Sequence, residues 1–340
     1  MTLTNPDQQA PEATTATRAV PAAAAPPLMG SHDLEPVDCY ACGSSRKTFL
    51  TEAKDDLGGK PGRFTFHTCD ECGLAYQDPR IPADGIAEWY DDTYIAHRKS
   101  SDFGVLTPFY RWVMGKHDRD KRKLVDRFVA LDATSRVLDI GCAAGTFLEE
   151  VRLRHGCSGV GVDFKDLSDA PAFRHNRFIQ GLFSEAPIER GSMDLVTMWH
   201  YLEHDYDPPA TLERCREVLR PGGQMVIEVP RLDSRTARWY GDRWPGLQAP
   251  QHTVLFSREQ LLLAVERAGF EVETHLPYGA FPPWFYIYAG WRFGQLKGRG
   301  FVPRQELGRY LLGQALVSPW LMFARKNNLA MQTVVCRRPA

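Results

Sequence analysis

The run Arg136-Val137-Leu138-Asp139-Ile140-Gly141-Cys142-Ala143-Ala144-Gly145-Thr146-Phe147-Leu148 decides the fold of this 340-residue chain. A short apolar strand ends in a glycine-bearing turn and opens a helix carried by Phe147, Leu148 and Val151, a geometry in which backbone N–H groups approach a ligand closely. Val160-Gly161-Val162-Asp163 reads as a second strand, ending in an acid 18 residues after Gly145. A carboxylate there can accept hydrogen bonds from both ribose hydroxyls. Further strands are expected near Phe178–Gly181, over Met193–Trp199 and over Gln224–Val229 after the turn Leu219-Arg220-Pro221-Gly222-Gly223, with a last strand over Met331–Cys336.

The spacing D-x-G-x-x-x-G separates this turn from the G-x-G-x-x-G of nicotinamide-binding units. Asp139 beside the turn would repel a pyrophosphate and suits an ammonium-bearing ligand, which points to S-adenosylmethionine. With these residues in this order, the chain over roughly residues 115 to 340 resembles the class I S-adenosylmethionine-dependent methyltransferases, Ala143 standing where their middle glycine is usual. The resemblance implies an α/β fold, with a Rossmann-like seven-stranded sheet to which the strands above belong in order. It also implies a cofactor pocket built from Asp139, Gly141, Cys142, Ala143, Gly145, Asp163 and Phe164, with Leu182, Phe183 and Trp199 as walls.

Composition agrees with a globular enzyme and narrows its partners. The chain is 43% hydrophobic and 24% charged, and 41 basic against 42 acidic residues leave no global field for a polyanion. The longest charge-free runs, Leu276–Trp291 and Tyr310–Ala324, hold 16 and 15 residues, short for a membrane span. The first 30 residues combine eight Ala, five Pro and five Thr without a basic, apolar leader, and read as a disordered tail of a cytoplasmic protein.

Cys39-Tyr40-Ala41-Cys42-Gly43 and Cys69-Asp70-Glu71-Cys72-Gly73 form two knuckles that can offer four thiolates to one tetrahedral Zn²⁺. Between them Arg63 to Thr68 alternates as a strand should, with Phe64, Phe66 and Thr68 on one face. Neither pair precedes a helix in a βαβ setting, so the site is expected to be structural and to hold a small domain at residues 36–80. Nine acids against six bases over residues 31–80 argue against a nucleic-acid role for this module. Residues 81–114 then form a helical linker whose Trp89, Tyr90 and Tyr94 could fold over the cofactor.

After the fourth strand comes His200-Tyr201-Leu202-Glu203-His204, at the sheet edge where reactive groups of open α/β folds gather. A neutral histidine can take a proton near pH 7, and an adjacent carboxylate can orient it. With the knuckles, the chain resembles bacterial methyltransferases carrying an N-terminal zinc-binding domain, including C-methyltransferases of nucleotide-linked deoxysugars. In those enzymes a Tyr-x-Glu-His segment supplies the base, and Tyr201, Glu203 and His204 match it. The chain departs from the sugar enzymes in leaving no room for their extra C-terminal domain. His204 therefore ranks first as base, His200 second for its nearness to the strand end, and His252 third.

The connection over residues 230–256 is long enough for a lid, with Trp239 and Trp244 expected as its packing anchors and Ser257-Arg258-Glu259-Gln260 opening the next helix. Residues 278–324 interleave Trp284, Phe285, Tyr286, Tyr288, Trp291, Phe293, Tyr310, Trp320 and Phe323 with Gly and Pro. Such an aromatic helical insertion is expected to cover a pocket for a hydrophobic or aromatic small molecule. The resulting expectation is methyl transfer to carbon or oxygen of a small metabolite, in specialised metabolism, with a histidine base. Its rivals are an RNA methyltransferase guided by the zinc module and a regulatory protein that binds the cofactor without turnover.

Overall fold

The computed structural model describes residues 34–90, 107–324 and 326–340. The N-terminal tail before residue 34 and Tyr94 lie outside the described residues. Three strands, β1 (Lys47–Ala53), β2 (Phe64–Cys69) and β3 (Ala75–Gln77), follow one another antiparallel. Helix α1 (Thr107–Val125) leads into β4 (Arg136–Ile140), α2 (Thr146–His155), β5 (Ser158–Asp163), β6 (Arg177–Gln180) and β7 (Met193–Trp199). Then come α3 (Pro208–Val218), β8 (Leu219–Pro230), α4 (Arg235–Tyr240), β9 (Val254–Leu255), α5 (Arg258–Arg267) and β10 (Glu271–Leu276). Two long helices, α6 (Pro283–Leu296) and α7 (Pro303–Ala324), precede the last strand, β11 (Met331–Arg337).

Seven strands form the main sheet in the order β10-β11-β8-β7-β4-β5-β6. The five from β8 to β6 run parallel, and β11 inserts antiparallel between β8 and β10. This is the α/β architecture expected of the class I sheet. Alternation along each strand divides the core in two. Val137, Leu195, Val226 and Val335 pack on one face with Leu124 of α1 and Leu148 and Val151 of α2. Leu138, Met198, Ile227 and Val334 pack on the other with Leu212 of α3 and Leu261 and Val265 of α5. Because both faces are covered, the central strands β4, β5, β7 and β8 are mostly apolar, which is why they stand out in the sequence.

Helix starts follow their caps: Asp207 accepts from Ala210 N–H ahead of Pro208-Pro209, and Ser257 from Gln260 N–H. The fifth parallel strand begins earlier than the sequence suggests. Gly222 turns at φ 74°, yet its N–H donates to Arg338 O and Arg338 N–H donates to Gly223 O, so the turn is absorbed into the ladder with the chain's last residues.

The cysteine module does not stand alone. Strand β3 pairs antiparallel with β9, Ala75 against Leu255 and Tyr76 against Val254, so β1, β2, β3 and β9 make one four-stranded sheet. Phe64 and Phe66 share a core with Trp89, Trp244, Leu247, Tyr286 and Met331. Residues 230–256 are thus largely packed. Trp244 anchors them as expected, buried with its indole N–H on Thr236 Oγ1 at 3.1 Å, but Trp239 does not: it is 51% exposed, projecting from the short helix α4. In the aromatic insertion, Trp284, Tyr288, Phe293 and Phe301 form a small core of their own, and Glu306 is held there by Arg292 and by Tyr288 OH at 2.5 Å. Its far side covers nothing among the described residues, since Leu316 and Phe323 are 74% and 82% exposed. The approach to α6, with Ala280 and Phe281, reaches the site described next. Among the described residues no helix is long and apolar enough to cross a membrane.

Candidate active site

The turn between β4 and α2 is built from three residues at positive φ, Gly141 (70°), Ala143 (46°) and Gly145 (67°). Glycine is required at 141 and 145 for space as well. A Cβ at Gly141 would come within 2.8 Å of the Tyr201 ring, and one at Gly145 within 2.6 Å of Phe173. Asp163, at the end of β5, accepts from Ala143 N–H at 2.9 Å and Lys165 N–H at 3.1 Å, so the second strand's acid is locked against the turn of the first. Cys142 is buried beneath Gly161, where any side chain would strike its sulfur.

Below the turn, Asp139 is 3% exposed and accepts from Thr197 Oγ1 at 2.6 Å; burial pushes its carboxyl up to about 7. Asp118 of α1 is also buried and raised by that burial, with Lys121 at 4.0 Å. Lys121 in turn lies 5.3 Å from the ring centre of Trp199. Three carboxyls, one lysine and an aromatic face around a glycine turn suit a cationic ligand with ribose hydroxyls better than a phosphate. Phe183 is buried while Leu182 and Phe164 present exposed side chains on the rim, and Tyr90 meets Phe164 edge to face at 5.2 Å.

At the carboxyl end of β7, His200 takes a left-handed backbone, φ 58°. Its N–H donates to Glu228 O at 2.9 Å, and its Nε2 lies 3.4 Å from Glu228 Oε1. On the other side, Nδ1 is 3.8 Å from Glu203 Oε1, and Phe281 stacks edge-on at 4.9 Å. The two carboxyls differ in their donors. Glu228 receives Ala280 N–H at 2.6 Å and Phe281 N–H at 3.0 Å; burial alone would raise it, but these donors and His200 hold it below the usual carboxylate range. Glu203 has no hydrogen-bond donor on either oxygen, and burial pushes it up to about 8.

A second histidine pair sits behind. His204 Nδ1 lies 3.0 Å from Gln251 O and 2.9 Å from Tyr90 OH, and its ring meets His252 at 4.5 Å. His252 is 3% exposed with Nδ1 on Gly246 O at 2.8 Å, and burial, then His204, lower its affinity for a proton well below the ordinary range. Tyr201, matched to the sugar enzymes' tyrosine, does not join this pair: its ring covers Gly141, and Tyr90 reaches His204 instead.

The four knuckle cysteines converge, their sulfurs all within 4.8 Å of one another and the Cys39–Cys72 and Cys42–Cys69 pairs at 3.5 and 3.6 Å. Four thiolates about 2.3 Å from one ion in tetrahedral array stand roughly 3.8 Å apart, so the donor set fits zinc. Burial raises the Cys39 thiol, whereas neighbouring N–H groups and thiols bring Cys69 down to about 7 against its own burial.

Sequence reading brought Asp139, Gly141, Gly145, Asp163, Trp199 and His200 to one place. It missed Glu228, Gln251, Asp118 and Phe281, and it named Tyr90 only as a cover for the cofactor, not as a partner of His204. Glu228 carried a signal, since a lone acid between Ile227 and Val229 in a buried strand demands a partner. Nothing local marked Asp118, whose place depends on how α1 packs.

Residues 114–275 match the family model described as a methyltransferase domain. A protein named a probable S-adenosylmethionine-dependent methyltransferase from Mycolicibacterium smegmatis is 28% identical over 170 residues, 47% of this chain and 60% of its own length. A ubiquinone biosynthesis O-methyltransferase of Aromatoleum aromaticum is 36% identical over 114 residues, 31% of this chain and 47% of its own. The chain thus spans about half the length of the curated relatives it matches. The solved phosphoethanolamine N-methyltransferase 2 of Haemonchus contortus superposes with a TM-score of 0.51 at 18% identity, covering 78% of this chain and 63% of that one. That likeness is one of fold. With the glycine turn and the matched family model in agreement, residues 114–275 are a methyltransferase domain, and with β11 they complete a sheet that has the seven-stranded order of the class I S-adenosylmethionine-dependent enzymes.

Proposed function

We propose that the protein transfers a methyl group from S-adenosylmethionine to a carbon or oxygen of a small, apolar or aromatic metabolite, with His200 as general base. The observation that carries this reading is His200 itself, held at the sheet's carboxyl edge between Glu228 and Glu203 and faced by Phe281. The glycine turn, Asp163 and the rim residues Phe164 and Leu182 would hold the cofactor, whose sulfonium supplies an electrophilic methyl when bound. His200 would take the acceptor's proton, and the ring of Phe281 would exclude water and flatten an aromatic acceptor against it. The preference moves from His204 to His200 because His204 Nδ1 is engaged by Tyr90 and Gln251 O, and His252 is enclosed. In this reading those two histidines, with Tyr90, fasten residues 246–252 beside the site.

The O-methyltransferase among the relatives supports oxygen as the accepting atom. The four cysteines are proposed to bind one structural Zn²⁺ per chain, closed to substrate. The test is incubation of the protein and methyl-labelled cofactor with cell extract, followed by mass spectrometry for products heavier by one methyl. Such a product should form with wild type and fall by about 10²- to 10⁴-fold in rate with His200→Gln, while affinity for S-adenosylhomocysteine is retained. Retained turnover in His200→Gln would remove the base assignment, and cofactor binding without any product would favour a regulatory protein.

A further inference from the structure

Glu228 is an acid in the middle of the fold. It lies on β8, wholly buried between Ile227 and Val229 and without solvent of its own. A carboxylate survives there only if donors surround it. The segment after β10 supplies two, Ala280 N–H and Phe281 N–H, one to each oxygen. Gly279 makes that possible, because a Cβ at this position would overlap the Glu228 carboxyl. The remaining contact of Oε1 is His200 Nε2 at 3.4 Å, within ion-pair range but outside hydrogen-bond geometry, so Nε2 has Glu228 as its neighbour and no hydrogen-bond partner as the ring now stands. An ionised carboxylate is an acceptor only, so it favours hydrogen on the ring nitrogen that faces it.

We propose that Glu228 is the positioning residue for His200, fixing the neutral imidazole as its Nε2–H tautomer so that Nδ1 is left to receive the acceptor's proton. The proposal rests on His200 being the base. Both ends of His200 are tied to the same residue: its N–H donates to Glu228 O at 2.9 Å while its ring faces Glu228 Oε1, and the left-handed φ of 58° is what lets one residue reach both. Nε2 is fully buried, whereas the side chain as a whole keeps 25% of its surface, so an acceptor cannot meet the ring at Nε2 and Nδ1 is the nitrogen left for it. The other titratable groups around the ring are Glu203 on the turn after β7, 3.8 Å from Nδ1, and His117 on α1, which stacks on the same Phe281 at 5.6 Å. Burial, then Lys121 and His200, keep His117 neutral, and burial keeps Glu203 protonated at neutral pH. Glu228 is therefore the one ionised group in contact with the ring among the described residues. During transfer His200 gains the acceptor's proton at Nδ1 and becomes the imidazolium, whose charge Glu228 offsets.

The experiment reads the tautomer directly and needs no acceptor. Imidazole ¹⁵N shifts of the full-length, zinc-loaded protein should report His200 as Nε2–H. Glu228→Gln brings N–H donors to the same place, and the population should move toward Nδ1–H. Once the acceptor is known, kcat of that variant should fall about 10- to 10³-fold with KM for the cofactor unchanged. Gly279→Ala, which displaces the carboxyl without removing it, should move the tautomer in the same direction and gives the answer if Glu228→Gln does not fold. An unchanged tautomer in the folded variants, with or without lost activity, would overturn the proposal. Full turnover by His200→Gln would instead remove the base while leaving the tautomer result readable.

Discussion

Two buried glutamates a few ångströms either side of one imidazole carry opposite shifts, and the number of donors decides the sign. Glu203, without donors, is pushed up to about 8 by burial. A carboxyl whose folded value is raised binds its proton more tightly folded than unfolded. Its contribution is intact at low pH and is lost as pH rises from about 4.5 toward 8, on the order of 3 kcal/mol by pH 7. Glu203→Gln should remove that dependence. The variant's Tm, compared with wild type, should gain between pH 5 and pH 8, and a constant difference across the range would mean that Glu203 finds donors in solution. Glu203 was legible in the sequence because it sits in a polar cluster after a strand. Glu228 stood as a lone acid in an apolar run, which showed that it needed partners but not which; those are His200 and the N–H groups of Ala280 and Phe281, all distant in sequence.

The β4–α2 turn makes a sharper point about what a motif records. Gly145 has both a left-handed φ and no room for a methyl group against Phe173, so Gly145→Ala should destabilise by about 2 kcal/mol or more and weaken cofactor binding. Ala143 takes φ 46° with the cost that any L residue bears there. Ala143→Gly should leave binding intact and be neutral or stabilising by up to about 1 kcal/mol, measured by denaturant midpoint and by calorimetry with S-adenosylhomocysteine. The sequence displayed this turn plainly because glycines at fixed offsets have a local cause. The aromatic insertion was visible as composition, but which of its rings face the site was not, since that depends on how α6 leaves β10.

Across the whole molecule the cysteine module and the carboxyl edge of the main sheet are joined by a short chain of hydrogen bonds. Gln77 N–H donates to Thr253 O at 2.8 Å, and Gln77 Nε2 donates to Pro250 O and His252 O. Thr253 N–H then donates to Glu203 O at 2.8 Å. Stripping metal with a chelator, or Cys69→Ser, should abolish bound zinc and raise hydrogen exchange at the amides of residues 250–255 as well as in β1 to β3. Protection that falls only in β1 to β3 would show the two parts to be mechanically separate.

The pairing of β3 with β9 also has a consequence for heredity. A recombination event that carried residues 34–80 into another chain would leave Tyr76 and Ala75 without their partners, and would leave Val254 and Leu255 as a bare edge in the donor. The smallest segment that can be exchanged intact is discontinuous, 34–80 together with 246–256. Chimaeras cut at that double boundary should express in soluble form where those cut once, after residue 80, aggregate.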